Sequence, residues 1–121
     1  MPDPIVFFDI AGPDLAHQAA FYRAVFGWEI GADGRTQAPV QSPLPGLLRV
    51  EPPEQGPATE RLLYIGVADI NATLAKIVAE GGSVVFPRYE VPGVVILALF
   101  TDPAGNRTGL VEMDGARPRV P

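Results

Sequence analysis

Few side chains in this sequence are suited to chemistry, and Asp9 is the most telling of them. It interrupts the apolar run Ile5 to Ile10, whose β-rich character on both faces predicts a central strand. A carboxylate at such a place needs a partner or a solvated cavity. Two readings follow. Asp9 orients a ligand or serves as a general base, which makes it the best catalytic candidate. Or it is structural, forming part of a solvated cavity wall or an ion pair with Arg107 or Arg49. His17 is the only histidine, and it lies off the apolar stripe of the first expected helix, so it reads as a surface residue. A Ser-His-Asp set is therefore not available. With no cysteine in the chain, disulfides, thiolate metal sites and cysteine nucleophiles are excluded. Glu112, on the last long strand, reads as a surface or helix-facing residue. Tyr64, Tyr89 and Trp28 offer aromatic walls for a flat ligand or simple core packing, with packing the stronger reading for Trp28. Asp102 and Asn106 belong to a tight turn. Neither Gly12-Pro13 nor Gly81-Gly82 makes a phosphate loop.

The elements that must position these residues follow from hydrophobic period and punctuation. After the Ile5 to Ile10 strand, Gly12-Pro13 breaks the chain, and Pro13 suits the first helical position, where a missing N–H costs nothing. Leu15, Ala19, Tyr22 and Phe26 form one helical stripe, and Gly27 is a left-handed cap. Trp28 to Ile30 reads as a brief strand. Residues 31–60 are punctuated by proline and glycine, with strands expected at Leu47 to Val50 and near Thr36 to Val40. Leu62 to Val67 is a strand, Asp69 an N-cap, and Ile70, Leu74, Ile77 and Val78 a helical stripe that stops at Gly81-Gly82. Ser83 to Phe86, Val94 to Thr101 and Arg107 to Met113 read as strands joined by turns at 91–93 and 102–106. The tail from Gly115 onward reads as loose.

The two halves share a grammar. Sliding the chain by 55 residues places Phe7 on Leu62, Ile10 on Ile65, Asp14 on Asp69, Ala19 on Leu74, Tyr22 on Ile77 and Gly27 on Gly82. The expected fold is therefore α+β, with two tandem βαβββ modules at about 4–57 and 61–114 in a single domain spanning 1–121. Their strands would form one curved mixed sheet with helices outside and a concave cavity inside. By period-2 alternation Val6, Phe8 and Ile10 pack under the helix, while Phe7, Asp9, Leu62, Tyr64 and Gly66 face the cavity.

Composition bounds the partners. The 121 residues are 47% hydrophobic and 19% charged, which fits one globular core. The formal charge of -5, without a basic cluster, argues against nucleic acid or an anionic membrane surface. The longest apolar run, Val94 to Phe100, is too short to span a bilayer, and MPDPIVFF lacks the features of a secretion signal. A soluble cytoplasmic protein is expected.

The stretches FYRAVFGWEI (21–30), ATLAKIVAEGGSVV (72–85) and FTDPAGNRTGLVE (100–112) resemble the vicinal oxygen chelate superfamily, which includes glyoxalase I, extradiol dioxygenases and bleomycin-resistance proteins. The resemblance covers nearly the whole chain and weakens across residues 31–60. It implies homodimerisation and, in the metal enzymes, a divalent ion held by a His on the first strand of each module, a Glu late in a module, and another acid or amide. Carried onto this chain, the two histidine places fall on Phe7 and Leu62, and the glutamate place on Gly109. The remaining ligand has no secure place within residues 36–51. The resemblance thus implies a protein without the usual metal and without a cofactor. It would bind a small organic molecule in the concave cavity, lined by Phe7, Asp9, Leu62, Tyr64, Arg107 and Gly109. Two alternatives stand beside this: a metal-dependent lyase or dioxygenase with atypical ligands, and a non-catalytic interaction module whose cavity its own side chains fill.

Overall fold

The structure, a computed structural model, describes residues 2–38, 44–52, 54, 56, 57 and 59–121. It divides into two compact units, Phe7–Leu62 and Leu63–Pro121, the second joined by the N-terminal segment up to Val6. The Gly66 N–H donates to the Pro4 carbonyl at 2.9 Å, which ties that segment to the second unit. No helix among the described residues is long and apolar enough to cross a membrane.

In the first unit, β1 (Ile5–Ala11) leads into α1 (Leu15–Phe26), then β2 (Arg35–Ala38) and β3 (Leu44–Arg49). The strand order is β2-β3-β1, with β3 parallel to β1 and antiparallel to β2. Parallel pairing of β1 and β3 requires a crossover, and α1 supplies it. The helix starts two residues later than Pro13 suggests. Asp14 is the N-cap, its Oδ1 accepting from the His17 N–H at 3.0 Å, and Pro13 stands outside the helix. Gly27 closes the helix at φ 71°, donating its N–H to the Arg23 carbonyl at 3.0 Å. Phe8, Ile10, Ala19, Ile30 and Leu48 form the core, with Leu15, Tyr22 and Trp28 against it. Phe26, expected on this stripe, is 59% exposed. Trp28 returns after the left-handed cap and stacks on Tyr22 at 5.0 Å, taking the place under the helix end. Trp28 to Ile30 is reduced to a single bridge, Ile30 to Thr36. Val40, at the end of the expected second strand, lies outside the described residues.

The second unit repeats this plan with one more full strand. It runs β4 (Glu60–Val67), α2 (Ile70–Ala79), β5 (Ser83–Val91), β6 (Val95–Thr101), β7 (Arg107–Asp114) and β8 (Arg117–Pro118). The order is β4-β7-β6-β5, with β7 parallel to β4 and the other pairs antiparallel. Asp69 caps α2 by accepting from the Ala72 N–H at 3.0 Å. Val67, Ile70, Leu74, Ile96, Ala98, Phe100 and Leu110 form the core under the helix. Three expectations are corrected here. The strand expected to end at Phe86 continues through Pro87 to Val91. It pairs only with β6 in this unit, and an edge strand tolerates a residue without an N–H. The tail is also tied down: β8 pairs with β7, and the Arg119 N–H donates to the Glu112 carbonyl at 2.8 Å. Val6, expected under a helix, instead lies beside Gly66 and Met113.

Candidate functional site

Each unit has one sheet face covered by its helix and one that the helix leaves open. In the first unit Phe8, Ile10 and Leu48 point to α1, so alternation turns Phe7, Asp9, Leu47 and Arg49 to the other face. Asp9 is 1% exposed, and its Oδ1 meets Arg49 Nε at 2.9 Å. Arg49, one of the two arginines that the sequence offered, is thus a partner of Asp9. The guanidinium also donates through Nη2 to Glu60 Oε1 at 2.7 Å and through Nη1 to Glu51 Oε2. Burial pulls the Arg49 pKa down, but the hydrogen bond and charge of Asp9, with Glu60 and Glu51, outweigh this and hold it above the ordinary value. The sequence reading missed Glu51 and Glu60. The only available signal was their closeness in sequence to an arginine on an apolar strand. As placed, the Asp9 carboxylate is committed to Arg49 and has almost no surface to offer a ligand.

In the second unit Leu110 faces α2, so Arg107, Gly109 and Val111 turn to the open face. Leu97 pairs with Val111 and Leu99 with Gly109, and across β6 Phe86 and Tyr89 pair with Leu99 and Leu97. The Phe86 and Tyr89 rings meet edge to face at 5.6 Å. Tyr64 pairs with Gly109 on the parallel neighbour, and its ring lies directly on that glycine: a Cβ at 109 would sit 2.2 Å from Tyr64 Cδ2. Tyr64 and Gly109 are buried, Phe86 and Tyr89 are exposed, and Leu97, Leu99 and Arg107 are half-buried. Leu62, just before this unit, is 2% exposed, and Phe7 is half-buried.

Glu112 faces the helix, as its place in the strand predicts. Its carboxylate accepts from the Ile70 N–H at 3.1 Å, at the start of α2, and from Arg88 Nε and Nη2 at 3.1 and 3.0 Å. The Arg88 hydrogen bonds hold its pKa below the ordinary carboxylate value, against burial, with help from Ile70. Asp102 closes the turn before β7, accepting from Ala104, Asn106 N–H and Asn106 Nδ2, and Asn106 holds its pKa down. His17 lies on the exposed side of α1.

The register also gives Gly109 a counterpart in the first unit. Leu48 pairs with Ile10 as Leu110 pairs with Ile65, and both pairs lie under their helices. Leu47 therefore holds in the first unit the position that Gly109 holds in the second. The places where the resemblance would put metal ligands, Phe7, Leu62 and Gly109, and Leu47 as the counterpart of Gly109, offer no side-chain donor. Among the described residues no group of three His, Cys, Asp or Glu is arranged to hold a metal ion. The donor set does not fit the family's metal. A cleft of about 290 Å³ lies elsewhere in the first unit, lined by Ile10, Gly12, Pro13, Gln18, Glu60 and Arg61 among others. It touches the Arg49 cluster only through Glu60 and includes none of Phe7, Asp9 or Leu47.

Residues 5–111 match the family model of the glyoxalase-like domain. The chain belongs to the glyoxalase-like domain family. Within the curated proteins it is 28% identical over 123 residues to "Anthracycline biosynthesis protein DnrV" of Streptomyces peucetius, covering 86% of this chain and 45% of that protein. It is 36% identical over 100 residues to "Putative glyoxylase CFP32" of Mycobacterium tuberculosis, covering 77% of this chain and 37% of that one. The chain thus spans less than half the length of these relatives. A solved methylmalonyl-CoA epimerase in complex with methylmalonyl-CoA and NH4+ superposes over 100% of both chains, with a TM-score of 0.64 and 22% identity. This likeness shows that the glyoxalase-like domain has the vicinal oxygen chelate fold that the sequence resemblance implied.

Proposed function

We propose that this glyoxalase-like domain binds a small, partly apolar organic molecule without a metal ion. The observation that carries this reading is the set of four residues at the family's ligand places, Phe7, Leu47, Leu62 and Gly109, together with the Tyr64 ring lying over the last of them. Where a glutamate would reach for an ion, an aromatic ring closes the space. The apolar side chains that keep surface on the second unit's open face, Phe86, Tyr89, Leu97 and Leu99, suit an apolar or flat ligand. Arg107 stands on the same face and gives it a cationic edge. Of the six residues expected to line a site, Phe7 and Arg107 keep surface, while Asp9, Leu62, Tyr64 and Gly109 are buried. The name of the Streptomyces relative supports an aromatic natural product as one ligand class to test. The name of the mycobacterial relative supports the alternative of a glyoxalase-type lyase.

The test is metal analysis of protein purified without an affinity tag, followed by a thermal-shift screen of aromatic and apolar small molecules. Metal far below one equivalent per chain, with a hit whose shift is lost in Tyr89→Ala, is the expected outcome. Metal near one equivalent overturns the reading and restores the lyase or dioxygenase alternative. A second reading, an interaction module with a filled cavity, draws on the burial of Leu62 and Tyr64. It is selected by a screen without hits on metal-free protein.

A further inference from the structure

Phe86 and Tyr89 stand three residues apart on β5. In a regular strand that separation turns two side chains to opposite faces. Here both belong to the open face, because the strand is irregular between them. Phe86 pairs with Leu99 and Tyr89 with Leu97, so Pro87 and Arg88 together oppose the single residue Ala98. A bulge of this kind re-aims the side chains that follow it, and Pro87 suits it because it brings no N–H to the ladder. A slip of one residue would turn Tyr89 to the helix face. Apolar burial does little to prevent that slip: from Ser83 to Glu90, every residue of β5 except Arg88 is exposed.

Arg88 is the residue of the bulge that is tied down. On the helix face its Nε and Nη2 donate to Glu112 Oε2 and Oε1 at 3.1 and 3.0 Å, a fork that fixes direction as well as distance. Glu112 lies on β7, two strands from β5, and is 6% exposed. It is held in turn by the Ile70 N–H at 3.1 Å, at the start of α2, and by Arg119 Nε of the tail at 3.6 Å. The remaining contact of Arg88, from Nη1 to Glu90 at 3.1 Å, stays within the exposed edge strand.

We infer that Glu112, acting through Arg88, is a positioning residue for the ligand face: it pins the β5 bulge in the register that presents Phe86 and Tyr89 together as one aromatic wall. The inference rests on the reading of the open face as the ligand site, but the placement of the two rings is measurable without any ligand. Glu112 itself lies on the opposite face of the sheet and touches no ligand there.

Nuclear Overhauser contacts between the Phe86 and Tyr89 rings, and between Tyr89 and Leu97, report the register in the full chain. Arg88→Met and Glu112→Gln are each expected to lose most of both contacts while the Tyr64 ring keeps its contact with Gly109. Glu90→Gln, which breaks only the exposed pair, is expected to keep all of them. Ring contacts that survive in Arg88→Met overturn the inference, and so does their equal loss in Glu90→Gln. If Arg88→Met does not fold, Glu112→Gln, which keeps an acceptor for Ile70, decides by the same contacts. For a molecule found by thermal shift, Arg88→Met and Glu112→Gln are each expected to weaken binding by about tenfold, with Glu90→Gln unchanged. A screen without hits, with ring contacts that still depend on Glu112, overturns the ligand reading and not the placement. Ring contacts independent of Glu112, with a ligand that still binds, overturn the placement alone.

Discussion

The ring of Tyr64 lies on Gly109, so close that a methyl group at 109 would overlap Cδ2 at 2.2 Å. The two residues pair across parallel strands, and each fixes the other. A glycine is required for close approach rather than for backbone freedom. Gly109→Ala is expected to cost about 1–3 kcal/mol by overpacking. The same substitution in a Tyr64→Ala background is expected to cost much less, because the ring that it strikes is gone. Urea denaturation of the four proteins measures the coupling. Additive effects would mean that Tyr64 does not rest on Gly109 in solution.

Arg49 joins Asp9, Glu51 and Glu60, so its loss and the loss of one acid are not equivalent. Arg49→Met leaves three carboxylates facing one another with little access to water. About 3–5 kcal/mol of stability is expected to be lost. Asp9→Asn keeps the shape and leaves the guanidinium with two acids, and about 1–2 kcal/mol is expected. Chemical denaturation at neutral pH gives both numbers. Equal costs would show that the cluster does not act as a unit around Arg49.

Glu112 makes stability depend on acid. Its folded pKa lies below the ordinary 4.5, because Arg88 and the Ile70 N–H favour the charged form. The folded state therefore holds the proton less readily than the unfolded chain. The resulting stabilisation is present above pH of about 4.5 and is lost as pH falls through the lower folded value. Glu112→Gln keeps one acceptor for Ile70 but turns an amide NH2 toward the Arg88 donors. At neutral pH the variant is expected to be less stable by about 1–3 kcal/mol. That gap should close on acidification, as followed by denaturation curves at several pH values. A gap constant down to acid pH would remove Glu112 from the pH response.

Much of this architecture was legible because the two units repeat the same local rules. Asp14 and Asp69 both cap helices, and Ile10 and Ile65 both lie under them, at the 55-residue offset. Alternation alone put Phe7 and Asp9 on the face away from α1. Other features depended on tertiary context. Leu47 was expected at the start of a strand, but the register of that strand was not secure among prolines and glycines, and its pairing with Asp9 fixed it. Pro87 reads as a strand end until its strand is seen at an edge. Phe26 has the spacing of a core residue, but the left-handed turn at Gly27 brings Trp28 into the space that it would fill. Arg49 was one of two arginines offered as a partner for Asp9, and alternation on β3 turns it to the Asp9 face.

Burial separates the side chains that hold the fold from those that can meet a ligand. Leu62 is 2% exposed, and Leu62→Ala is expected to cost about 2–4 kcal/mol through lost transfer energy and the cavity left behind. Tyr89 is 51% exposed and stands on the edge strand against Phe86. Tyr89→Ala is expected to cost less than about 1 kcal/mol of stability. For a ligand found by thermal shift, that change is expected to weaken binding by about tenfold, the loss of one aromatic contact. Calorimetric titration of both variants, with stability measured in parallel, distinguishes the two roles. If Leu62→Ala, while still folded, abolished binding and Tyr89→Ala left it unchanged, the ligand would sit in the interior around Leu62 and not on the open face beside Tyr89.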